Sequence, residues 1–218
     1  MPLAIFDLDN TLIAGDSDYS WGEFLVRHNQ VDPERYRTMN EKFYRDYEEG
    51  RLDIHEYLAF ALRPLAEILP ETLAALHRQF MEEVVAPMWL PRAVALLQQH
   101  RARGDYLLVI TSTNRFVVDP ICQKLGVDDL IATEPAADDR GYTGEVAGIP
   151  AFREGKVARL RQWLEENGGS LEGSCFYSDS INDLPLLEIV DRPVAVDPDA
   201  ALARIAGERD WPIISLRD

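Results

Sequence analysis

Two aspartates come directly after the first apolar run of the chain. Residues 3–6 are all hydrophobic, as expected of a short buried strand, and Asp7 and Asp9 follow at once. Open α/β sheets place their ligand sites at the carboxyl ends of strands. Because strand side chains alternate in direction, this spacing turns both carboxylates toward one side if the extended geometry continues. The feature favours a polar site at the edge of an α/β sheet, and an ordinary acidic turn is the alternative.

The two carboxylates also indicate a kind of chemistry. Neighbouring acids repel each other, so each tends to keep a proton. A divalent cation removes that repulsion, and one of the two acids can then stay protonated and act as an acid.

Short apolar runs recur along the chain and alternate with helical patterns. The runs that predict strands are 3–6, 106–110, 130–132, 175–177, 194–196 and 213–216. Apolar residues at helical spacing predict helices over 91–103 and 155–167, each followed by a glycine. Residues 138–146 predict a hairpin. Strands that alternate with helices form a mostly parallel sheet, so we expect the α/β class.

Residues 15–89 interrupt this alternation. They contain no convincing strand and predict several helices, among them 20–28, 33–49, 54–62 and 71–85. A helical insertion after the first strand would lie over the carboxyl edge of the sheet, where it could cover a ligand and exclude water. We therefore predict a core domain of residues 1–14 and 90–218 and a helical cap domain of residues 15–89.

The charge of the chain limits its partners. Its 218 residues include 38 acidic and 22 basic side chains, and the formal charge of -16 opposes approach to nucleic-acid phosphates and anionic lipids. We therefore expect neither nucleic acid nor membrane as a partner. Cys122 and Cys175 have neither metal nor disulfide spacing, as is typical of a reducing compartment, so a cytoplasmic protein is expected. The residues predict no particular oligomeric state.

A second acidic cluster follows the run 175–177 and contains Asp179, Asn182 and Asp183. If Asp7 and Asp179 converge at the sheet edge, their carboxylates, a backbone carbonyl and waters supply the oxygen ligands that Mg²⁺ prefers. Zinc is disfavoured, because no His or Cys pattern accompanies these acids.

A polar stretch and a lysine are candidates for binding phosphate. Residues 111–114 carry hydroxyls and backbone N–H groups that can cradle phosphate oxygens. Lys156, at the start of the predicted helix 155–167, supplies a compact positive charge. A solvated surface lysine is the alternative for Lys156.

In order and type, these residues resemble the four motifs of the haloacid dehalogenase superfamily. The motifs are Asp7-x-Asp9-x-Thr11, Thr111, Lys156 and Asp179-x-x-x-Asp183. The helical insertion is similar to the C1 cap of the superfamily, and the layout resembles its phosphoserine phosphatase-like branch. The resemblance covers the whole chain. It implies a Rossmann-like three-layer core, an all-helical cap, and a Mg²⁺-dependent phosphatase that acts on a small phosphate monoester.

The resemblance also implies a role for each motif residue. Asp7 would be the nucleophile that forms an aspartyl-phosphate, and Asp9 would be the general acid and then the general base. Mg²⁺ would be held by the Asp7 side chain, the Asp9 carbonyl and Asp179. The other implied positions are Asn182 and Asp183 around the metal, and Thr111, Ser112 and Lys156 on the phosphoryl oxygens. Dehalogenases of the superfamily lack the second acid, so Asp9 favours phosphatase chemistry.

Asp16, Asp18 and Trp21 lie where the predicted cap begins and are the candidates for substrate choice. Two carboxylates and an aromatic face suit a cationic amine or an imidazolium group. Alternatively, Asp16 and Asp18 only cap a helix and Trp21 packs in a core.

The second motif and its surroundings bear on the substrate. The phosphoserine phosphatase-like branch usually has Ser-Gly-Gly-Phe there, whereas residues 111–116 are Thr-Ser-Thr-Asn-Arg-Phe. The motifs also resemble a bacterial group that dephosphorylates histidinol phosphate, whose amine and imidazole suit an acidic entrance. Histidinol phosphate is therefore the expected substrate. Phosphoserine, another small phosphate ester, phosphotransfer to an alcohol, and a regulatory binding protein on an inactive scaffold are the alternatives.

Overall fold

The computed structural model describes residues 2–217, and a single sheet forms its centre. The strands are β1 (Leu3–Phe6), β2 (Tyr106–Asn114), β3 (Asp129–Asp138), β4 (Gly141–Ala147), β5 (Cys175–Ser178), β6 (Arg192–Val196) and β7 (Ile213–Ile214). Within the described range their order across the sheet is β4-β3-β2-β1-β5-β6-β7. The first strand of the chain therefore lies near the middle of the sheet.

Parallel pairing brings the carboxyl ends of the central strands together. β1 pairs in parallel with β2 on one side and with β5 on the other, so that Phe6 lies opposite both Val109 and Tyr177. β3 and β4 pair antiparallel and form the predicted hairpin, which turns between Asp138 and Gly141. Whatever follows β1, β2 and β5 must meet at one edge of the sheet.

Helices cover both faces of the sheet, because both faces of its strands are apolar. Ala4 and Phe6 of β1 belong to one buried cluster, and Leu3 and Ile5 belong to the other. The helices are α1 (Ser17–Arg27), α2 (Pro33–Glu48), α3 (Ile54–Ala61), α4 (Arg63–Glu67), α5 (Pro70–Phe80), α6 (Pro91–Ala102), α7 (Arg115–Leu125), α8 (Glu154–Asn167), α9 (Leu184–Leu187) and α10 (Ala200–Glu208). The predicted three-layer α/β fold is confirmed. None of the helices within residues 2–217 is long and apolar enough to cross a membrane.

The predicted helical insertion is present between β1 and β2. It comprises α1 to α5, a π-helical segment at Met81–Val85 and a 3₁₀ segment at Ala86–Met88. Part of the insertion shares the main core, since Trp21 of α1 and Phe80 of α5 belong to the same buried cluster as Phe6. The division into a core domain and a cap domain stays a prediction.

Several elements differ from the sequence prediction, and two of them border the predicted site. β2 continues past residue 110 to Asn114, because the polar side chains of Thr111, Thr113 and Asn114 find hydrogen-bond partners inside the protein. Helix α7 was not predicted. It begins directly where β2 ends and contains Pro120, a residue that ordinarily signals a break in a helix.

The turn before α8 leaves no room for a side chain at Gly155. A Cβ atom there would overlap the carbonyl oxygen of Pro150. We expect Gly155→Ala to lower the free energy of unfolding by about 1–3 kcal/mol, because the turn would have to shift. Gly207 in α10 is the matched control, since nothing lies within 4 Å of its Cβ position. Gly207→Ala should instead raise the free energy of unfolding by about 0.5–1 kcal/mol. Urea denaturation measures both variants, and an unchanged midpoint for Gly155→Ala would contradict the close approach.

Candidate active site

Asp7 lies at the carboxyl end of β1, at the centre of the site. Its backbone N–H donates to the carbonyl oxygen of Tyr177 at 2.9 Å, which continues the pairing of β1 with β5. The residue is only 5% exposed. Its Oδ1 accepts a hydrogen bond from Nζ of Lys156 at 2.8 Å. Burial raises the pKa of Asp7 to about 7, although the charge of Lys156 opposes this shift.

Lys156 lies in the first turn of α8 and joins separate segments of the chain. Its Nζ also donates to Oδ2 of Asp183 at 2.8 Å, and the same oxygen accepts from the hydroxyl of Ser178 at 2.7 Å. Burial lowers the pKa of Lys156, but the two carboxylates outweigh this effect and hold it above its ordinary value. Lys156 is therefore a buried, charged lysine, and the alternative of a solvated surface lysine is wrong.

Asp9 lines the same pocket as Asp7 but has neutral partners. Its Oδ1 accepts from the backbone N–H of Ser17 at 2.6 Å, and its Oδ2 accepts from the hydroxyl of Thr113 at 2.8 Å. Burial, followed by the charge of Asp16, raises the pKa of Asp9 to about 6. The two aspartates of the first motif therefore have different surroundings, which agrees with the two different chemical roles expected of them.

Asp179 follows β5 and is held by Thr11. The hydroxyl of Thr11 donates to Oδ1 of Asp179 at 3.0 Å and accepts from its backbone N–H at 3.1 Å. Burial, followed by the charge of Asp7, raises the pKa of Asp179 well above its ordinary value. Asp179 is therefore close enough to Asp7 for the two negative charges to repel each other.

These oxygen atoms suit a hard divalent cation. A cation between Asp7 and Asp179 would remove their repulsion. Within residues 2–217, no three His, Cys, Asp or Glu side chains form a metal-binding group. The expected set needs only two carboxylates, because the Asp9 carbonyl and waters would supply the remaining oxygens. The residues fit Mg²⁺, and its binding remains a prediction.

One pocket is lined by most of the residues that are predicted to bind phosphate or to contact the substrate. The predicted residues in its wall are Asp7, Asp9, Asp16, Asp18, Thr111 and Ser112. Thr111 is buried, whereas Ser112 is partly exposed. Both come from β2, the neighbour of β1, so hydroxyl groups and carboxylates share one edge of the sheet.

Asp16 and Asp18 have local roles and also face the pocket. Asp16 is the N-cap of α1 and accepts from the backbone N–H of Tyr19 at 2.8 Å. Asp18 accepts from the hydroxyl of Tyr57 at 2.5 Å and from Nδ2 of Asn114 at 3.3 Å. Burial raises the pKa of each aspartate to about 7. For Asp16, helix capping and a position in the pocket wall are therefore compatible.

Unlike Asp16 and Asp18, Trp21 does not line the pocket, so the expectation that it contacts the substrate is wrong. It is 2% exposed and packs among Phe24, Phe80 and Phe116 in the hydrophobic core. A large indole ring gains more from such an aromatic core than from a partly wet pocket wall. The alternative expectation, that Trp21 packs in a core, is therefore confirmed.

Aromatic residues that were not predicted as site residues complete the pocket wall. They are Tyr19, Phe43, Tyr44, Tyr47, Tyr57 and Phe152. The rings of Tyr19 and Tyr44 lie 4.9 Å apart. Aromatic residues at helical spacing, as in α2, are equally typical of the buried face of a helix, so the sequence did not single them out.

Further partners of the motif residues were also missed. Thr113 and Ser17 hold Asp9, and Ser178 holds Asp183. The position of Thr113 two residues after Thr111 on one strand was the available signal, because such residues point to the same side.

Asn182 lies between the sheet edge that carries Asp7 and the helical insertion. Its Nδ2 donates to the carbonyl oxygen of Tyr47 at 3.1 Å, and its Oδ1 accepts from Nε of Arg153 at 3.0 Å. The expected role of Asn182 around a metal stays a prediction. Its neighbour Asp183 contacts Lys156 directly.

Comparisons with known proteins agree with this geometry. The family model for haloacid dehalogenase-like hydrolases matches residues 4–188. The chain is 48% identical to a histidinol-phosphatase of Neisseria meningitidis serogroup C (strain 8013), over 99% of each chain. A crystal structure of a protein of unknown function from Bordetella pertussis Tohama I has a TM-score of 0.93 and 45% identity, over 99% of this chain and 98% of that one. A phospho-aspartyl intermediate analogue of phosphoserine phosphatase shares the fold, with a TM-score of 0.72 and 18% identity over 99% and 93% of the two chains.

The buried acids predict an unusual dependence of stability on pH. Asp7, Asp16 and Asp18 have pKa values of about 7 instead of 3.8. Between about pH 4 and pH 7 the folded protein therefore binds more protons than the unfolded chain, so stability falls as the pH rises. We expect the metal-free protein to melt at a lower temperature at about pH 8 than at about pH 5.

Asp16→Asn is the control for this effect. Asparagine can still cap α1 but no longer titrates, so the variant should show a shallower fall in melting temperature. A melting temperature that rises across this range, or equal slopes for both proteins, would contradict the raised pKa values.

Proposed function

Because the chain belongs to the haloacid dehalogenase-like hydrolase family, we propose that its pocket hydrolyses a phosphate monoester of a small metabolite, with histidinol phosphate as the leading substrate. The observation that carries the proposal is the meeting of Asp7, Asp9 and Lys156 at one buried edge of the sheet. Similarity to a histidinol-phosphatase over nearly the whole chain supports the substrate.

Asp7 is the nucleophile in the first half of the reaction. Its carboxylate attacks phosphorus, the bond between phosphorus and the leaving oxygen breaks, and a phospho-aspartate forms on Asp7. Lys156 orients this carboxylate and favours its ionised form. Asp9 donates its proton to the leaving oxygen, which departs as an alcohol. Hydrogen bonds from Ser17 and Thr113 hold Asp9 in position for this transfer.

The second half of the reaction returns each group to its starting state. Asp9, now ionised, takes a proton from a water molecule whose oxygen attacks phosphorus. The bond between phosphorus and Asp7 breaks, inorganic phosphate leaves, and Asp9 is protonated again. One carboxyl group thus serves both half-reactions, first as the acid and then as the base.

The charge on the phosphoryl oxygens needs several positive or polar partners. Thr111 and Ser112 supply hydroxyl groups from the end of β2, and Lys156 supplies a full positive charge. Mg²⁺ held by Asp7, the Asp9 carbonyl and Asp179 would neutralise further negative charge on the transferring group. Asp183 keeps Lys156 aimed at the site.

The other half of the pocket selects the leaving group. Asp16 and Asp18 provide negative charge once they are ionised, above their pKa of about 7, and the rings of Tyr19 and Tyr44 provide aromatic faces. Both features attract an ammonium or imidazolium group. Histidinol phosphate carries an amine and an imidazole and lacks the carboxylate of phosphoserine, which these aspartates would repel.

Helices α1 to α5 act as a cap in this proposal, with residues 15–89 covering a core of residues 1–14 and 90–218. The position of Tyr44 of α2 and Tyr57 of α3 in the same pocket wall as Asp7 supports this role. Water is thereby excluded from around the phosphoryl group. The free, buried Cys122 and Cys175 suit a reducing compartment, and we propose the cytoplasm.

The choice of leaving group is tested with three substrates. With Mg²⁺ present, kcat/KM for histidinol phosphate should exceed that for phosphoserine. Asp16→Asn and Asp18→Asn should each lower kcat/KM for histidinol phosphate by about tenfold or more, because each removes a charge-assisted contact. The same variants should lower kcat/KM for para-nitrophenyl phosphate, whose leaving group is not cationic, much less.

Asp139→Asn, in the exposed β3–β4 turn, is the matched control and should behave as the unchanged protein. Faster hydrolysis of phosphoserine would favour a phosphoserine phosphatase. Failure to release phosphate from any of the three esters would favour a binding protein on an inactive scaffold.

A further inference from the structure

Arg153 carries a positive charge at the unfavourable end of its own helix. It occupies the N-cap position of α8 and makes no side-chain capping hydrogen bond there. Ser, Thr, Asp and Asn are the residues that stabilise this position, and a helix N-terminus disfavours a cation. The backbone φ angle of Arg153 is 50°, in the left-handed region that non-glycine residues usually avoid. Local structure therefore gives no reason for an arginine at this position.

The side chain of Arg153 instead reaches the end of a different helix. Nη2 donates to the carbonyl oxygen of Gly50, which lies just past the end of α2. The carbonyl end of a helix favours a cation. Nε of Arg153 donates to Oδ1 of Asn182 at 3.0 Å. One guanidinium thus bridges the helical insertion and the turn that precedes Asp183.

Asn182 completes the bridge. Its Nδ2 donates to the carbonyl oxygen of Tyr47, in the last turn of α2, at 3.1 Å. Because Arg153 occupies Oδ1 of Asn182, the amide is oriented with Nδ2 toward Tyr47. The same helix end is therefore held twice, once by Arg153 and once through Asn182.

An apolar contact next to Arg153 also holds the helical insertion against the rest of the protein. Phe152 is buried in a small cluster with Phe43 and Leu52 of the insertion. The guanidinium of Arg153 lies 5.0 Å from the centre of the Phe152 ring. Phe43 and Phe152 are also part of the pocket wall, so this cluster joins the insertion to the segment that leads into Lys156.

We propose that Arg153 is a positioning residue that seats α2 over the catalytic pocket. It acts by tying the carbonyl end of α2 to Asn182 and to the start of α8. Arg153 directs its side-chain hydrogen bonds to Asn182 and Gly50, and not to Asp183 or Lys156, so its loss changes the seating of the insertion and leaves the catalytic ion pair in place. Loss of Arg153 loosens α2, and the pocket wall formed by Tyr44 and Tyr47 is in place for a smaller fraction of the time.

Hydrogen exchange of the metal-free protein tests this seating without any turnover. In Arg153→Met, backbone amides of residues 47–52 should exchange about tenfold faster or more, because a charge-assisted contact at the helix end is lost. Amides of β5 should exchange as in the unchanged protein. Arg153→Lys keeps the cation but loses the planar fork, and should show a smaller change of the same sign. If Arg153→Met fails to fold, the exchange of Arg153→Lys tests the proposal instead.

Arg161→Met is the matched control, since Arg161 is an exposed arginine on α8. It should leave exchange unchanged. Unchanged exchange at residues 47–52 in the Arg153 variants would overturn the proposal. Equally faster exchange in β5 would also overturn it, because the residue would then stabilise the whole fold and not the seating of α2.

Kinetics give a second readout, which rests on the proposed phosphatase activity. With para-nitrophenyl phosphate and Mg²⁺, Arg153→Met should raise KM by about tenfold and change kcat by less than about twofold, because the competent conformation is less populated. A fall in kcat with an unchanged KM would contradict a positioning role. If no ester is hydrolysed at all, the proposed function fails, while the exchange experiment still decides the role of Arg153.

Discussion

The ion pair of Lys156 with two carboxylates is the interaction on which the site depends. Nζ of Lys156 lies 2.8 Å from Oδ1 of Asp7 and 2.7 Å from Oδ1 of Asp183, and all three side chains are buried. A buried charge that loses its partner destabilises a protein by several kcal/mol, so the stable fold must hold β1, α8 and the turn after β5 together. One ammonium still leaves an excess of negative charge beside Asp9 and Asp179. A divalent cation is the natural complement to that excess.

The pocket joins two parts of the chain with different tasks. The ends of β1 and β2 and the start of α8 hold the groups that we propose to act on phosphorus. The pocket wall that we propose for the leaving group is formed by α1, α2 and α3, and the contacts of Asp18 show how closely the two parts are joined. It accepts hydrogen bonds from Tyr57 of the insertion and from Asn114 of β2. If these proposed roles hold, substitutions in the insertion alter the choice of substrate while the chemistry at Asp7 stays the same.

Sequence patterns predicted those features that depend on local order along the chain. Apolar runs located the strands, and the two aspartates after the run 3–6 lie at the carboxyl edge as expected. Trp21 could not be placed, since an aromatic residue near a pocket and one in a core have the same local pattern. Tyr44, Tyr47 and Arg153 were missed because their partners are distant in sequence. The contact of Arg153 with Gly50 depends on how the insertion packs, which no local pattern encodes.

The proposed mechanism requires that Asp7 form a covalent bond to phosphorus. Sodium borohydride reduces an aspartyl-phosphate to homoserine, so a quenched reaction with histidinol phosphate and Mg²⁺ records which carboxylate was attacked. Peptide mass spectrometry should find homoserine at residue 7 in the unchanged protein and none in Asp7→Asn. Homoserine at residue 9 or residue 179, or an unmodified residue 7 in protein quenched during turnover, would contradict the assignment of the nucleophile.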